Sequence, residues 1–201
     1  MSQINLYYQT QLDIKVSLLP SQITGNIDDF ILENLTKKIK SKTVENGIVI
    51  KVYRLIDYDY GIIDKANLMG TTVYTVKYEC LLCSPVKDLE IICILDNIVK
   101  GYLIGNNGPV TIAVQYSNID THKFSVNGNS ITHIKSGKEI SKNDYIKVLV
   151  INVNSNMGEN NIITICKLID IANPEDIKRY MDDQRLITDI NSGANESSKF
   201  I

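Results

Sequence analysis

The sequence predicts an α+β protein in which a small mixed domain precedes an all-β domain, and three observations lead to that class. The first 84 residues place a helical hydrophobic period between stretches of strand-like alternation. After Pro85 the patterns are those of strands alone, separated by turns rich in Asn, Asp and Gly. The chain has 201 residues, of which 44% are hydrophobic, enough to fill one large core or two small ones.

The first half of the chain predicts the order strand, helix, strand, strand. Residues 12–18 alternate strictly between apolar and polar side chains, as a half-buried strand does. Apolar residues then recur at helical spacing from Thr24 or Asn26, with acidic residues in the first turn and lysines near the end. Residues 48–56 are rich in β-branched side chains, and residues 74–82 alternate again. This order predicts a small domain over residues 1–84.

The second half of the chain predicts a β-barrel. Strand patterns occupy residues 89–95, 98–104, 110–116, 145–153 and 162–169, with turns at Asp96-Asn97 and from Gly105 to Gly108. Five strands with a long insertion between the third and the fourth are typical of the Greek-key barrel called the OB fold. We therefore predict a five-stranded OB-fold β-barrel over residues 85–171.

The C-terminal residues predict a helix followed by a tail. Asn173 has the character of an N-cap, Pro174 suits the first helical position, and Glu175 and Asp176 complement the helix dipole. Residues 172–190 are therefore predicted to form a helical extension. The small, polar residues 191–201 are predicted to be disordered.

The four cysteines predict core thiols and no metal site. Cys80 and Cys83 stand in one strand pattern at an odd spacing, so their side chains should point to opposite faces of a sheet. Cys93 and Cys166 stand alone in the sequence, whereas a zinc site needs a second pair of ligands. Without a signal peptide, reduced thiols are expected rather than a disulfide framework.

Composition excludes several classes of protein. A formal net charge of −2 argues against a free-standing, high-affinity nucleic-acid binder. No apolar run reaches the roughly 18 residues of a membrane span, and the first residues lack the features of a secretory signal, so an intracellular location is expected. His122 and His133, the two histidines, have the context of ordinary loop residues. No set of residues resembles a catalytic centre, so neither an enzyme nor a cofactor is predicted.

Two groups of residues are candidates for binding. OB barrels typically hold single-stranded nucleic acid with aromatic and basic side chains. The residues of that character are Lys100, Tyr102, His122, Lys123, Lys135 and Lys138. The loop from Asp57 to Gly61 alternates Asp and Tyr, which suits either a partner contact or partial burial against the protein's own sheet.

The order of elements and several short motifs resemble one known family over roughly residues 8–170. The motifs are Leu18-Leu19-Pro20-Ser21, Gly47-Ile48-Val49, Gly61-Ile62-Ile63, Val76-Lys77-Tyr78 and Ser84-Pro85-Val86-Lys87. They resemble the stalk subunit of multisubunit DNA-directed RNA polymerases, which is the seventh subunit of eukaryotic RNA polymerase II and has an archaeal counterpart. The segment after Pro85 lacks the family's glycine, since it reads Lys87-Asp88-Leu89-Glu90. This divergence and the frequent Ile, Asn and Lys suggest a large DNA virus as the source.

The resemblance implies a non-catalytic subunit with two contact surfaces. A ribonucleoprotein-like tip domain, residues 1–84, would dock on the large polymerase subunits at the base of the clamp. The implied docking residues are Asp57, Tyr58, Asp59, Tyr60, Gly61, Ile62 and Met69. The OB domain would touch nascent RNA weakly near the exit path during transcription. A second stalk subunit would cover the domain junction, and the location would be virion and host cytoplasm for a virus or the nucleus for a cell.

Two other classes of function stay open at this point. The first is an independent OB-fold RNA-binding factor in translation or RNA processing, which would bind RNA alone with a marked salt dependence. The second is a small hydrolase or nucleotide-binding enzyme, for which the sequence offers no convergent residue set.

Overall fold

The computed structural model describes residues 5–40, 42–45, 47–63, 70–99, 101–128 and 130–192, without the side chains of residues 189–192. Its strands are β1 (Tyr7–Leu18), β2 (Thr43–Val44), β3 (Gly47–Tyr58), β4 (Ile62–Ile63), β5 (Thr72–Cys83), β6 (Glu90–Val99), β7 (Tyr102–Asn107), β8 (Val110–Ile119), β9 (Phe124–Asn127), β10 (Ser130–His133), β11 (Tyr145–Asn154) and β12 (Ile162–Ile171). Its helices are α1 (Ile27–Ile39) and α2 (Pro174–Ser192). The predicted α+β class is confirmed. In this part of the chain, no helix is long and apolar enough to cross a membrane.

The first sheet has the strand order β1-β5-β3-β2, and β4 pairs with β5. Helix α1 buries Ile31, Leu35 and Ile39 against one face of this sheet. The even-numbered residues of β5 from Tyr74 to Leu82 face the helix and are buried, as their alternation predicts.

Strand β3 follows a period of three, because β-bulges interrupt its pairing with β5 at regular intervals. The residues of β3 that pack on the α1 side are Val49, Val52, Leu55 and Tyr58, and they pair with Leu82, Cys80, Tyr78 and Val76. Three register shifts place three residues of β3 opposite two of β5 each time. The bulges explain why residues 48–56 show no strict alternation, and they curl the edge of the sheet.

The second half of the chain closes into a five-stranded barrel in the order β11-β12-β8-β7-β6, which confirms an OB-like barrel. Of the two predicted turns, the one at Asp96-Asn97 is wrong and the one from Gly105 to Gly108 is confirmed only at Gly108. Strand β6 continues through Asp96-Asn97, where a register irregularity absorbs one residue and Asn106 donates a hydrogen bond to the Asp96 carboxylate. The chain turns instead at Gly101, and strand β7 extends through Asn107 to the turn at Gly108; both glycines have positive φ.

The insertion between β8 and β11 closes one end of the barrel. Its β9–β10 hairpin contributes Phe124 and Ile131 to the barrel core, and Ile140 follows them inward. The insertion is therefore packed structure and only partly an exposed loop.

Cys80 packs on the α1 side of the first sheet, and Cys83 packs on the barrel side, as their odd spacing predicts. All four cysteines are buried and unpaired. Burial raises the pKa of the Cys80 thiol to about 11 and that of Cys166 to about 11, so both stay protonated. No group of three or more potential metal ligands occurs among the described residues.

Helix α2 packs across the joint between the sheet and the barrel. Asn173 and Asp176 exchange hydrogen bonds at its start, and buried Asp176 pairs with Lys147 of β11 at 3.2 Å. Tyr180 meets Tyr145 edge to face, and Ile187 packs on the barrel core. The helix includes residues 191 and 192, which the sequence analysis placed in the tail.

One buried asparagine connects the sheet, the barrel and α2. Asn107, 2% exposed at the end of β7, donates from Nδ2 to the carbonyl of Ile92 at 2.8 Å. Its Oδ1 accepts hydrogen bonds from the hydroxyl of Tyr7 at 3.0 Å and from Nε2 of Gln184 at 2.9 Å. We call these four residues, Asn107, Ile92, Tyr7 and Gln184, the junction hub.

Replacing Asn107 by Ala should destabilise the protein by about 1–2 kcal/mol, because the Ile92 carbonyl loses its side-chain donor and the Gln184 amide loses its acceptor, while the Tyr7 hydroxyl keeps the backbone carbonyl of residue 107 at 3.1 Å. The free energy of unfolding from urea titration measures the effect. The matched control is Asn127→Ala on β9, where the exposed side chain has no such role, and a change within about 0.5 kcal/mol is expected. Equal effects of the two substitutions would contradict the hub.

Candidate functional site

Exposed apolar side chains cluster at the end of the first sheet that lies away from the barrel. Ile62 and Ile63 of β4 are 71% and 62% exposed, and Tyr60 beside them is fully exposed. Ile63 pairs with Thr72, which also pairs with Leu18 of β1, so the exposed Leu19 and the short 3₁₀ turn at 20–22 lie at the same end. We call the residues Leu19, Ile23, Tyr60, Ile62 and Ile63 the apolar tip.

A polar frame holds the chain that carries Tyr60 in place. Oδ1 of Asp59 accepts hydrogen bonds from the backbone N–H groups of Gly61 and Thr75, both at 3.0 Å. The hydrogen bonds from Thr75 and Gly61 lower the pKa of Asp59, so the contact persists at neutral pH. Gly61 has φ +73°, and a Cβ there would meet the Tyr74 ring at 2.7 Å.

Tyr58 belongs to this frame and not to the exposed surface. Its hydroxyl donates to Oδ1 of Asp28 at 2.7 Å, and its ring lies edge-on to Tyr74 with centroids 5.9 Å apart. The hydrogen bond to Asp28 raises the pKa of Tyr58. Asp57 is exposed and accepts from the backbone N–H of Tyr58. Partial burial therefore applies to Tyr58, which packs against the protein's own sheet, and an exposed position suited to a partner contact applies to Tyr60. Met69 lies outside the described residues.

Tyr102 lies at the end of β7 away from Asn107, while the other described residues suggested for RNA binding lie in the insertion between β8 and β11, and only some of these residues present an unpaired charge. Tyr102 is exposed at the start of β7 and His122 is exposed in the insertion, while Lys100 lies outside the described residues. Lys123 pairs with Asp170 at 2.7 Å, and Lys138 pairs with Asp144 at 2.6 Å. Lys135 is exposed and has no ion pair among the described residues.

Asp170 at the end of β12 fastens the insertion to the barrel. Burial is the largest single influence and opposes its ionisation, but the hydrogen bonds from Lys123 and from the backbone N–H of Ile171, with the Lys123 charge, together lower the pKa of Asp170. Nε2 of His133 lies 3.4 Å from Oδ1 of Asp170, too poorly aligned for a hydrogen bond, while Nδ1 contacts Oγ of Ser136 at 2.9 Å. His133 is a buried residue of β10 whose ring lies tilted against that of Phe124, with centroids 5.2 Å apart, and is not the loop residue that the sequence suggested.

The face of the first sheet opposite α1 is polar. Its central cross-strand rows are Gln11–Glu79–Arg54 and Asp13–Lys77–Asp57. The hydrogen bonds from Arg54 at 2.6 Å and Gln9 at 2.8 Å lower the pKa of Glu79. Ribonucleoprotein folds that bind RNA on a sheet stack bases on aromatic side chains of the strands. These rows contain no aromatic residue, so they offer no such platform.

A cavity of about 440 Å³ opens at the joint between α2 and the start of the barrel. It is lined by Asn5, Leu6, residues 87–92, Asn107, Arg179, Tyr180 and Asp183. Desolvation raises the pKa of Asp183 to about 6, against the attraction of Arg179. Sequence reasoning singled out neither Asn107 nor Asp183. The helical spacing of Tyr180, Asp183 and Ile187 would have placed the acid on the packed face.

The chain matches no known protein-family model. It is 51% identical over 201 residues, the whole of both chains, to a protein of Acanthamoeba polyphaga mimivirus that carries the provisional name DNA-directed RNA polymerase subunit. At this identity the two chains share their fold and both of its halves.

Asp183→Asn should stabilise the protein at neutral pH and remove part of its pH dependence. Because the folded pKa of Asp183 is about 6 and its ordinary value is 3.8, the wild type loses stability as pH rises from about 4 to about 6. Solvent screens the partly buried carboxylate, so a gain of about 1 kcal/mol is expected at pH 7.5 and almost none at pH 3.5.

Urea unfolding of both proteins across this pH range measures the difference. The charged and titratable groups near Asp183 are Arg179, Asp182, Lys87, Asp88, Glu90, Tyr7 and Cys83. The control Asp182→Asn changes an exposed carboxylate one residue away; its repulsion is a smaller cause of the raised pKa of Asp183 than burial, so it should flatten the curve far less than Asp183→Asn does. A variant of Asp183 that is less stable than wild type at pH 7.5 would contradict the assignment.

Proposed function

The chain belongs to the same family as the mimivirus DNA-directed RNA polymerase subunit, and from that premise we propose that it is the stalk subunit of a multisubunit viral RNA polymerase. The 51% identity along the whole of both chains supports a subunit of a viral DNA-directed RNA polymerase, and the stalk position within that polymerase is proposed from the order of the two halves of the fold. Its fold supports the proposal, because a small α+β sheet followed by an OB-like barrel is the architecture that the stalk family implies.

The apolar tip is the surface that docks on the large polymerase subunits at the base of the clamp. Removing a large apolar side chain from water contributes roughly 1.5–3 kcal/mol, part of which is lost to the cost of association. Tyr60, Ile62 and Ile63 are exposed together on a loop that the Asp59 hydrogen bonds hold in place. A pre-arranged contact of this kind favours whichever clamp position it fits, because binding only one state shifts the population towards it.

The far end of the barrel contacts nascent RNA weakly. Tyr102 and Lys135 are exposed there, whereas the charges of Lys123 and Lys138 are balanced by carboxylates. A protein with a formal net charge of −2 needs little affinity of its own, because the polymerase holds the transcript beside it at high effective concentration. The subunit is non-catalytic, acts in the virion and host cytoplasm, and has the large subunits and a second stalk subunit as partners.

Replacing the apolar tip should release the protein from the polymerase without unfolding it. The variant Tyr60→Ala/Ile62→Ala/Ile63→Ala loses exposed apolar area only, so recovery of the large subunits in a purification at about 0.3 M salt should fall at least tenfold, the equivalent of about 1.4 kcal/mol. The matched control is Met181→Ala/Leu186→Ala, which removes exposed apolar side chains from α2.

Equal recovery from the tip variant and the α2 control would contradict docking through the tip. If the wild type is recovered with RNA and without polymerase subunits, the alternative of an independent OB-fold RNA-binding factor is correct.

The exposed residues Tyr102 and Lys135 should differ in function from the ion-paired Lys123 and Lys138. Tyr102→Ala/Lys135→Ala should reduce ultraviolet cross-linking of nascent RNA to the subunit in assembled polymerase, because it removes a stacking surface and an unpaired charge. Loss of the Lys135 charge should lower the salt slope of RNA binding by about 0.7. Lys123→Ala/Lys138→Ala should mainly lower the melting temperature. The reverse assignment of effects would contradict this account of the RNA surface.

A further inference from the structure

Strand β1 is a regular edge of the first sheet. All twelve of its residues pair with β5 without a register shift, and no other described strand pairs with it. The opposite edge differs, since β3 carries three bulges and is partly covered by β2. Exposed regular edges are templates for adding a strand, and natural proteins usually block them with prolines, bulges or covering elements.

The odd-numbered residues of β1 point their backbone groups away from the sheet. Thr75 of β5 accepts a hydrogen bond from the backbone N–H of Asp59, so its polar groups face the side on which β3 lies. Lys15 pairs with Thr75. Because opposite residues of an antiparallel pair either exchange both hydrogen bonds or neither, the N–H and C=O of Lys15 face outward. The same holds for Gln9, Gln11 and Asp13.

Helix α1 covers only the part of this edge that is nearest Leu18. Nζ of Lys38 donates to the carbonyl of Lys15 at 2.6 Å, and Nδ2 of Asn34 donates to the carbonyl of Ser17 at 3.2 Å. The outward backbone groups of Gln9, Gln11 and Asp13 have no hydrogen-bond partner among the described residues. This segment contains neither proline nor bulge.

We propose that the segment Gln9–Asp13 pairs with an extended strand of another polymerase subunit, which adds to the sheet beside β1. The inference rests on the proposed function for the identity of the partner. The two faces of the edge specify the chemistry of that strand. Leu12 and Ile14 are half-buried on the α1 side, whereas Gln9, Gln11 and Asp13 are exposed on the other. The added strand therefore alternates apolar residues beside Leu12 with polar residues beside Gln11.

Position along β1 separates this surface from the apolar tip. The tip lies beyond Leu18 at the end of β1, and the open edge lies nearer the barrel, where Tyr7 joins the junction hub. A partner bound at the edge would contact the sheet beside the joint, while the tip remains available to the large subunits.

Hydrogen–deuterium exchange in the assembled viral polymerase tests the proposal. In the isolated chain the amides of Gln9, Gln11 and Asp13 should exchange quickly, because they have no acceptor. In the polymerase the same three amides should exchange at least tenfold more slowly. Gln11→Pro removes an outward N–H and no existing ladder bond, as proline does on an edge strand. It should abolish this protection, whereas the matched Gln11→Thr should keep it.

Each outcome decides one question. Unchanged exchange of the three amides in an intact polymerase that contains the chain would overturn the edge proposal and leave the stalk proposal standing. Protection that appears in the isolated chain and grows with its concentration would mean pairing with a second copy, and would overturn the assigned partner. Absence of the chain from purified polymerase would overturn the proposed function itself. A melting temperature of Gln11→Pro close to that of Gln11→Thr excludes unfolding as the cause of lost protection.

Discussion

The relation between the two ends of this molecule depends on one buried amide. Asn107 sits where the sheet, the barrel and α2 meet, and its side chain is hydrogen-bonded to all three. A buried amide is stable only when its donors and acceptor are satisfied together, so the three parts must keep one arrangement. Ile48, Leu81 and Cys83 of the sheet pack in the same hydrophobic cluster as the barrel core. The joint is therefore held by apolar packing and fixed in one orientation by hydrogen bonds.

A fixed joint gives the two proposed contact surfaces a fixed separation. The apolar tip lies at the end of the sheet remote from the barrel, and Tyr102 lies at the barrel end remote from the sheet. A subunit docked by its tip would then hold the other end of its barrel at a defined place. Asp183 shows the cost of this arrangement, since the α2 face that closes the joint carries a carboxylate that burial disfavours. The weak contacts proposed for RNA suit such a scaffold, because a barrel held beside the transcript meets it at high effective concentration and needs little affinity of its own.

The sequence predicted the elements whose pattern is local and failed where contacts between distant residues decide. Strands β1, β5, β11 and β12 and helix α1 follow from alternation and helical spacing. The bulges of β3 could not be predicted from its own sequence. They are defined by the pairing with β5, in which three residues of β3 lie opposite two of β5. Asp96 suggested a turn, yet its partner Asn106 lies across a hairpin. Lys123 was a reasonable RNA candidate until Asp170, 47 positions away, proved to neutralise it.

Site-specific cross-linking tests most directly whether the tip faces a large polymerase subunit. A photo-reactive amino acid would replace Tyr60 in one sample and Lys178, on the exposed side of α2, in another, with both proteins assembled into the viral polymerase. Docking through the tip predicts that the group at position 60 cross-links to a large subunit and that the group at position 178 does not. Cross-linking to a large subunit from position 178 alone would contradict docking through the tip.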